Sequence, residues 1–158
     1  MECELDNITV NYEIVGHGRP LVLLHGFWTD HRQMAGCMEP IFAHRDGWQR
    51  IYLDLPGMGQ TPAAPWISSS DDMLSVVCQF IEAVLPEQRF VIGGYSYGAY
   101  LARGVLSHHF SQIDGLFLVC SVVVASSAAR TVPPHEILVR DEALKSVLSS
   151  DQFAQLDE

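Results

Sequence analysis

The sequence predicts an α/β fold, a largely parallel sheet with helices on both faces. Three observations carry that prediction. Short apolar runs of strand length alternate with stretches of helical periodicity along most of the chain. One run, Leu21 to Leu24, is apolar at every position, as expected of a strand covered on both faces. Three segments, at His25-Gly26-Phe27, Asp54 and Ser96, sit at the carboxyl ends of strands, so right-handed crossovers gather them at one edge of the sheet.

The elements follow in order. Ile8 to Val15 alternates with Ile8, Val10, Tyr12 and Ile14 on one face, and Gly16-His17-Gly18-Arg19-Pro20 turns into the Leu21 to Leu24 strand. Asp30 is placed to cap a helix carrying Met34, Cys37, Met38, Ile41 and Phe42, although Gly36 and Pro40 weaken that stretch. Arg50 to Leu53 is a strand that meets the turn-rich Asp54-Leu55-Pro56-Gly57-Met58-Gly59. Ser70 is expected to cap the next helix, with Asp71 and Asp72 in its first turn, an apolar stripe from Met73 to Leu85 and Pro86 as its stop. A strand from Phe90 to Ile92, a helix from Tyr97 to about Leu106 and a buried strand from Leu116 to Cys120 complete the series. Residues 1–125 form the expected core domain. Residues 126–158 read as a loop, an amphipathic helix over His135 to Leu148 and a short turn begun by Asp151.

The chain has 158 residues, 48% hydrophobic and 18% charged, enough for one domain with its own core. Nine basic against 19 acidic residues give a net charge of −10, which argues against a nucleic-acid partner. Cys3, Cys37, Cys78 and Cys120 show no metal-ligand spacing, so no metal is expected, and Cys78 and Cys120 read as buried thiols. The acidic start lacks the marks of a signal peptide, and the longest apolar run, Leu116 to Ala125, is too short to span a bilayer. The expectation is a cytoplasmic protein with no membrane partner.

The chemistry concentrates at Gly94-Tyr95-Ser96-Tyr97-Gly98, set between a strand and a helix. A Gly-x-Ser-x-Gly turn this tight puts its serine in a strained conformation above the sheet, and the two glycines let neighbouring backbone approach. The helix N-terminus behind Ser96 favours a developing negative charge. Taken alone, the five residues are equally compatible with a plain Gly/Ser turn. A phosphate loop is excluded, because neither Gly-Lys-Ser/Thr nor Gly-x-Gly-x-x-Gly is present.

Together, Leu21-Val22-Leu23-Leu24-His25-Gly26-Phe27, Asp54-Leu55-Pro56-Gly57-Met58-Gly59 and Gly94-Tyr95-Ser96-Tyr97-Gly98 resemble, in order and spacing, the N-terminal part of the α/β-hydrolase superfamily over residues 8–125. The resemblance implies an eight-stranded sheet, a Ser-His-acid triad and a helical cap after the sixth strand. It implies Ser96 as nucleophile and the backbone N–H groups of Phe27 and Tyr97 as an oxyanion hole. It implies structural roles for His25 and Asp54. Trp28 and Tyr95, with Tyr97 and Trp66, are candidates for an acyl pocket or for simple packing.

The activity implied is a serine hydrolase acting on a small-molecule ester, thioester or related carbonyl substrate, with no cofactor. Two other readings stay open: a non-catalytic ligand-binding module, and a carbon–carbon bond hydrolase or a cofactor-free lyase or peroxidase-like variant. Nothing beyond residue 125 reads as two further strands, and no histidine has an evident route to Ser96, though His31 follows the oxyanion loop. The chain is therefore expected to be a fragment, truncation or processed half of a larger hydrolase; the alternative is that a second copy or a separate C-terminal chain supplies the missing His and acid.

Overall fold

The computed structural model describes residues 1–131 and, beyond them, positions 133, 136, 138, 143 and 146–149. The helix expected over His135 to Leu148 and the turn at Asp151 fall largely outside the described residues. Two compact units are distinguished, Met1–Val123 and Val124–Glu158. In the second, a 3-10 turn covers Ser127–Ala129, and the Arg130 guanidinium donates to the Val124 and Ala125 carbonyls at 2.8 and 3.2 Å.

The first unit is a six-stranded sheet. Its elements are β1 (Glu2–Glu4), β2 (Thr9–Val15), β3 (Arg19–Leu24), α1 (His31–Phe42), β4 (Trp48–Leu53), α2 (Ser70–Val84), β5 (Phe90–Tyr95), α3 (Tyr97–His108) and β6 (Ile113–Val119). The strand order is β1-β2-β4-β3-β5-β6. β1 and β2 run antiparallel, and β4, β3, β5 and β6 are mutually parallel. The chain leaves β3 toward β4 on one side and later adds β5 on the other, so β3 is the switch point of the sheet. The registers align Leu24 with both Leu53 and Gly94, and Tyr95 with Val119. The segments beginning at His25, Asp54 and Ser96 therefore leave one edge of the sheet side by side.

Helices cover both faces, and β5 shows why its residues divide between them. Phe90 and Ile92 join the larger core with Val76, Val77, Phe80 and Ile81 of α2 and Leu101, Ala102 and Val105 of α3. Val91 and Tyr95 point the other way, into a smaller core with Leu21, Leu23, Tyr52 and Met34 of α1. The two-residue period of a strand decides this allocation.

The acidic start, which has no element assigned in the sequence reading, forms β1, whose Cys3 pairs with Val10 and packs against the larger core. Three sequence expectations are corrected. The cap of α2 is Ser69, which accepts from the Asp72 N–H while the Asp72 carboxylate accepts from the Ser69 N–H, a reciprocal capping box. Ser70 is already helical and instead accepts from the Tyr97 hydroxyl at 3.1 Å. Ser69→Ala is accordingly expected to cost about 1 kcal/mol in urea unfolding. The strand read as buried at Leu116 to Cys120 is an edge strand among the described residues, with Leu118 and Val119 38% and 43% exposed. Cys120 lies past its end with φ 50° and is exposed, because the chain turns out of the sheet there.

Candidate active site

Ser96 occupies the junction of β5 and α3 with φ 52° and ψ −112°, a left-handed region that a non-glycine residue adopts at a cost of about 1–3 kcal/mol. Its N–H donates to the Val119 carbonyl at 2.9 Å and its carbonyl accepts from the Tyr100 N–H at 3.1 Å, so the backbone is held from both sides. The side chain makes no capping bond. The flanking glycines explain how the chain passes. A Cβ on Gly94 would meet the Gly98 backbone and lie 2.6 Å from the Ala99 nitrogen. A Cβ on Gly98 would meet the Leu24 and His25 carbonyl oxygens and lie 2.6 Å from the Leu24 carbonyl carbon. The helix thus packs directly onto the end of β3.

The second wall is the His25–Thr29 segment. His25 is fully buried. Its Nε2 accepts from the Leu55 N–H at 2.9 Å, and Nδ1 lies 2.7 Å from the Gly26 carbonyl. One nitrogen accepts and the other faces an acceptor, so the ring is the neutral Nδ1–H tautomer. Burial lowers its pKa, against the opposing pull of the Gly26 carbonyl. Both nitrogens are used to hold the loop, which is the work of a bracket and not of a base for Ser96. The Gly26 N–H donates to Gln33 Oε1 at 2.8 Å, and the Thr29 hydroxyl donates to the Gly26 carbonyl at 2.8 Å. Sequence reasoning missed Thr29 and Gln33. The available signal was Asp30-x-x-Gln33 at a helix start, since the N3 glutamine of such a pair reaches back over the preceding turn.

Phe27 and Tyr97 are brought together, their rings in edge contact with centroids 5.4 Å apart. Among the described residues, no backbone carbonyl accepts from the Phe27 N–H. The Tyr97 N–H belongs to the first helical turn, whose donors have no partner within the helix. Trp28 is 87% exposed, has φ 61°, and lines an apolar groove of about 220 Å³ with Phe27, Met58, Ile67 and Met73. A wider mouth of about 510 Å³ adjoins it at Phe27, Ser68, Ser69, Ser70 and Tyr97. Tyr95 packs into the α1-side core and over Gly26, because strand alternation turns it away from these grooves. Trp66 is 44% exposed in the loop before α2.

Asp54 underlies the site from the third segment. It is fully buried, yet its carboxylate accepts from the His31 N–H and Nδ1 at 2.8 Å each, Gln60 N–H at 2.9 Å and Asn11 Nδ2 at 3.0 Å. Burial pushes its pKa up, but these donors outweigh it and hold the carboxyl below the usual range. His31, which follows the His25–Thr29 segment, spends Nδ1 on Asp54 and lies with Nε2 3.5 Å from Glu13. Asp30, His31 and Asp54 bring potential ligand atoms within 4.8 Å of one another. Asp30, however, caps α1 and pairs with Arg32, and both Asp54 oxygens are occupied by donors, so this cluster holds itself together. Among the described residues, no histidine is hydrogen-bonded to Ser96. No helix among them is long and apolar enough to cross a membrane.

The model of the alpha/beta hydrolase fold family matches residues 19–150. The chain is 33% identical over 115 residues to the pimeloyl-[acyl-carrier protein] methyl ester esterase of Aeromonas hydrophila, covering 72% of this chain and 42% of that protein. It is 34% identical over 113 residues to a 2-succinyl-6-hydroxy-2,4-cyclohexadiene-1-carboxylate synthase of Escherichia coli, covering 68% and 40%. A crystal structure of an alpha/beta superfamily hydrolase from Oenococcus oeni superposes with TM-score 0.74 at 35% identity, covering 98% of this chain and 57% of that one. The chain therefore spans about two fifths of the length of these two curated relatives.

Proposed function

This chain belongs to the α/β-hydrolase fold family, and from that premise we propose that it carries the nucleophile and oxyanion hole of a serine hydrolase acting on small esters or thioesters. The observation that carries the reading is Ser96, held at φ 52° on a glycine-flanked turn at the N-terminus of α3. In the proposed reaction the Ser96 oxygen attacks the substrate carbonyl carbon while a general base takes its proton. The carbonyl oxygen becomes an oxyanion facing the Phe27 and Tyr97 N–H groups. The alcohol or thiol leaves, and water releases the acyl group from Ser96. Each fixed donor is worth roughly 3 kcal/mol of transition-state stabilisation. The groove at Trp28, Met58, Ile67 and Met73 suits an apolar acyl group, and the relative named as a methyl ester esterase supports an ester substrate. In this reading the general-base histidine and its acid come from outside the described residues.

The test is intact mass after fluorophosphonate treatment of the protein and of Ser96→Ala. One adduct, lost in the variant, is the expected result. A folded protein that takes no adduct, or a variant that labels equally, overturns it. The second reading, a ligand-binding module on the same scaffold, is favoured by one observation: no described histidine is bonded to Ser96. It predicts no adduct together with measurable binding of the same esters. A third reading, carbon–carbon bond chemistry on the same serine, gains support from the relative named as a synthase. It predicts labelling at Ser96 without ester turnover.

A further inference from the structure

Resting on the serine-hydrolase reading above, we propose that Thr29 and Gln33 are positioning residues for the oxyanion hole. They act through the two peptide groups that flank Gly26, and so aim the Phe27 N–H out of the His25–Thr29 segment.

The Gly26–Phe27 peptide is trans, so its C=O and N–H share one plane and point in opposite directions. Whatever holds the Gly26 carbonyl therefore sets the direction of the Phe27 N–H. Two donors hold that carbonyl, the Thr29 hydroxyl at 2.8 Å and His25 Nδ1–H at 2.7 Å. Both occupy the carbonyl side of the plane. The Phe27 N–H is turned to the other side, where among the described residues no backbone carbonyl accepts from it. Sterics alone would not fix this orientation, because Gly26 has no Cβ to oppose rotation of the peptide that follows it. The edge contact of the Phe27 and Tyr97 rings, centroids 5.4 Å apart, keeps the two oxyanion-donor residues side by side.

Gln33 fixes the preceding peptide. Its Oε1 accepts from the Gly26 N–H at 2.8 Å and also from the Thr29 hydroxyl at 3.0 Å. That hydroxyl has a single proton, shared between Gln33 Oε1 and the nearer Gly26 carbonyl. Gln33 lies in the first turn of α1, which Asp30 caps, and its own N–H donates to the Asp30 carbonyl at 3.0 Å. The reference for both Gly26 peptides is thus the end of a helix, a more precise support than a loop. His25 alone would leave the carbonyl with one donor and the Gly26 N–H with none of this support.

The experiment follows the rate at which a fluorophosphonate modifies Ser96 in the full chain, over a range of reagent concentrations, so that the maximal rate separates from reagent affinity. In that step Ser96 Oγ bonds to phosphorus, fluoride leaves, the serine proton passes to the general base, and the phosphonyl oxygen gains charge. Thr29→Val and Gln33→Met are expected to lower the maximal rate about 10–100-fold, the scale on which a small misplacement of a catalytic group acts. Reagent affinity stays unchanged, because the aimed donor contributes chiefly in the transition state. Thr29→Ser returns the hydroxyl and Gln33→Glu returns the acceptor oxygen, and both recover the rate. A purely packing role predicts the opposite order at position 29, since valine keeps the shape of threonine while serine loses a methyl group. Urea unfolding identifies the variants that fold, and the Thr29 pair decides the matter if the Gln33 variants do not. A folded Thr29→Val that labels at the unmodified rate, or a Thr29→Ser slowed as much as Thr29→Val, overturns the positioning role alone. An unmodified chain that takes no label overturns the serine-hydrolase reading and the positioning role with it.

Discussion

Replacing Gly98 by alanine is expected to destabilise the chain by about 3 kcal/mol or more, while the same change at Gly36 stabilises it by about 0.4–1 kcal/mol. The contrast isolates geometry from chemistry, because both glycines lie in helices and both substitutions add one methyl group. At Gly36 a Cβ has nothing within 4 Å, so alanine adds only helix propensity. At Gly98 the Cβ meets backbone atoms of Leu24 and His25. Those atoms cannot yield cheaply, since Leu24 is paired to β4 on one side and β5 on the other. The remaining escape is for α3 to lift off the sheet, carrying the Tyr97 N–H away from the Phe27 loop. Urea unfolding at unchanged m-value measures the effect. A Gly98→Ala midpoint equal to that of the unmodified chain would refute the close packing of α3 on β3.

That packing also shows what was legible in the sequence. Two glycines bracketing a serine after an apolar run state a steric demand, and the demand is local enough to read without a structure. The alternation of strands and helices was readable for the same reason, because each period is written within one element. Features that depend on a partner distant in sequence were not. Gly93 looks like a neighbour of the turn, yet the Phe117 ring of β6 fills the space a Cβ would need. The apolar composition of Leu116 to Leu118 reads the same in a central strand as at an edge, so composition could not report that, among the described residues, β6 has a neighbour on only one side. Tyr95 is aromatic and beside the serine, but the face it takes is set by the phase of β5. His25 and His31 flank the same short segment before α1. Only their partners, Leu55 and Asp54 about two dozen residues on or more, reveal what the rings are used for.

Asp54→Asn, a change of one atom, is expected to cost about 3 kcal/mol or more at pH 7, and that cost should shrink as the pH falls. In the native carboxylate each oxygen accepts twice: Oδ1 from the His31 N–H and Nδ1, and Oδ2 from Gln60 N–H and Asn11 Nδ2. An asparagine in either orientation turns its NH₂ toward two of these donors. Buried donors left without an acceptor cost about 1–3 kcal/mol each. The pH dependence follows from the same donors. They depress the Asp54 pKa below its unfolded value of about 3.9, so the folded state holds the proton less readily than the unfolded chain. The stabilisation is complete above the unfolded value and is lost as the pH falls through the folded one. Asp30, whose pairing with Arg32 holds it at about 2, and the depressed Asp72 and Asp114 contribute acid sensitivity of the same sign. Those groups are common to both proteins and cancel in the difference. Subtracting the variant's stability from that of the unmodified chain between pH 7 and pH 3 therefore isolates Asp54. A difference that stays constant across this range would mean that the carboxylate is not what ties β2, the start of α1 and the Gly59 turn together.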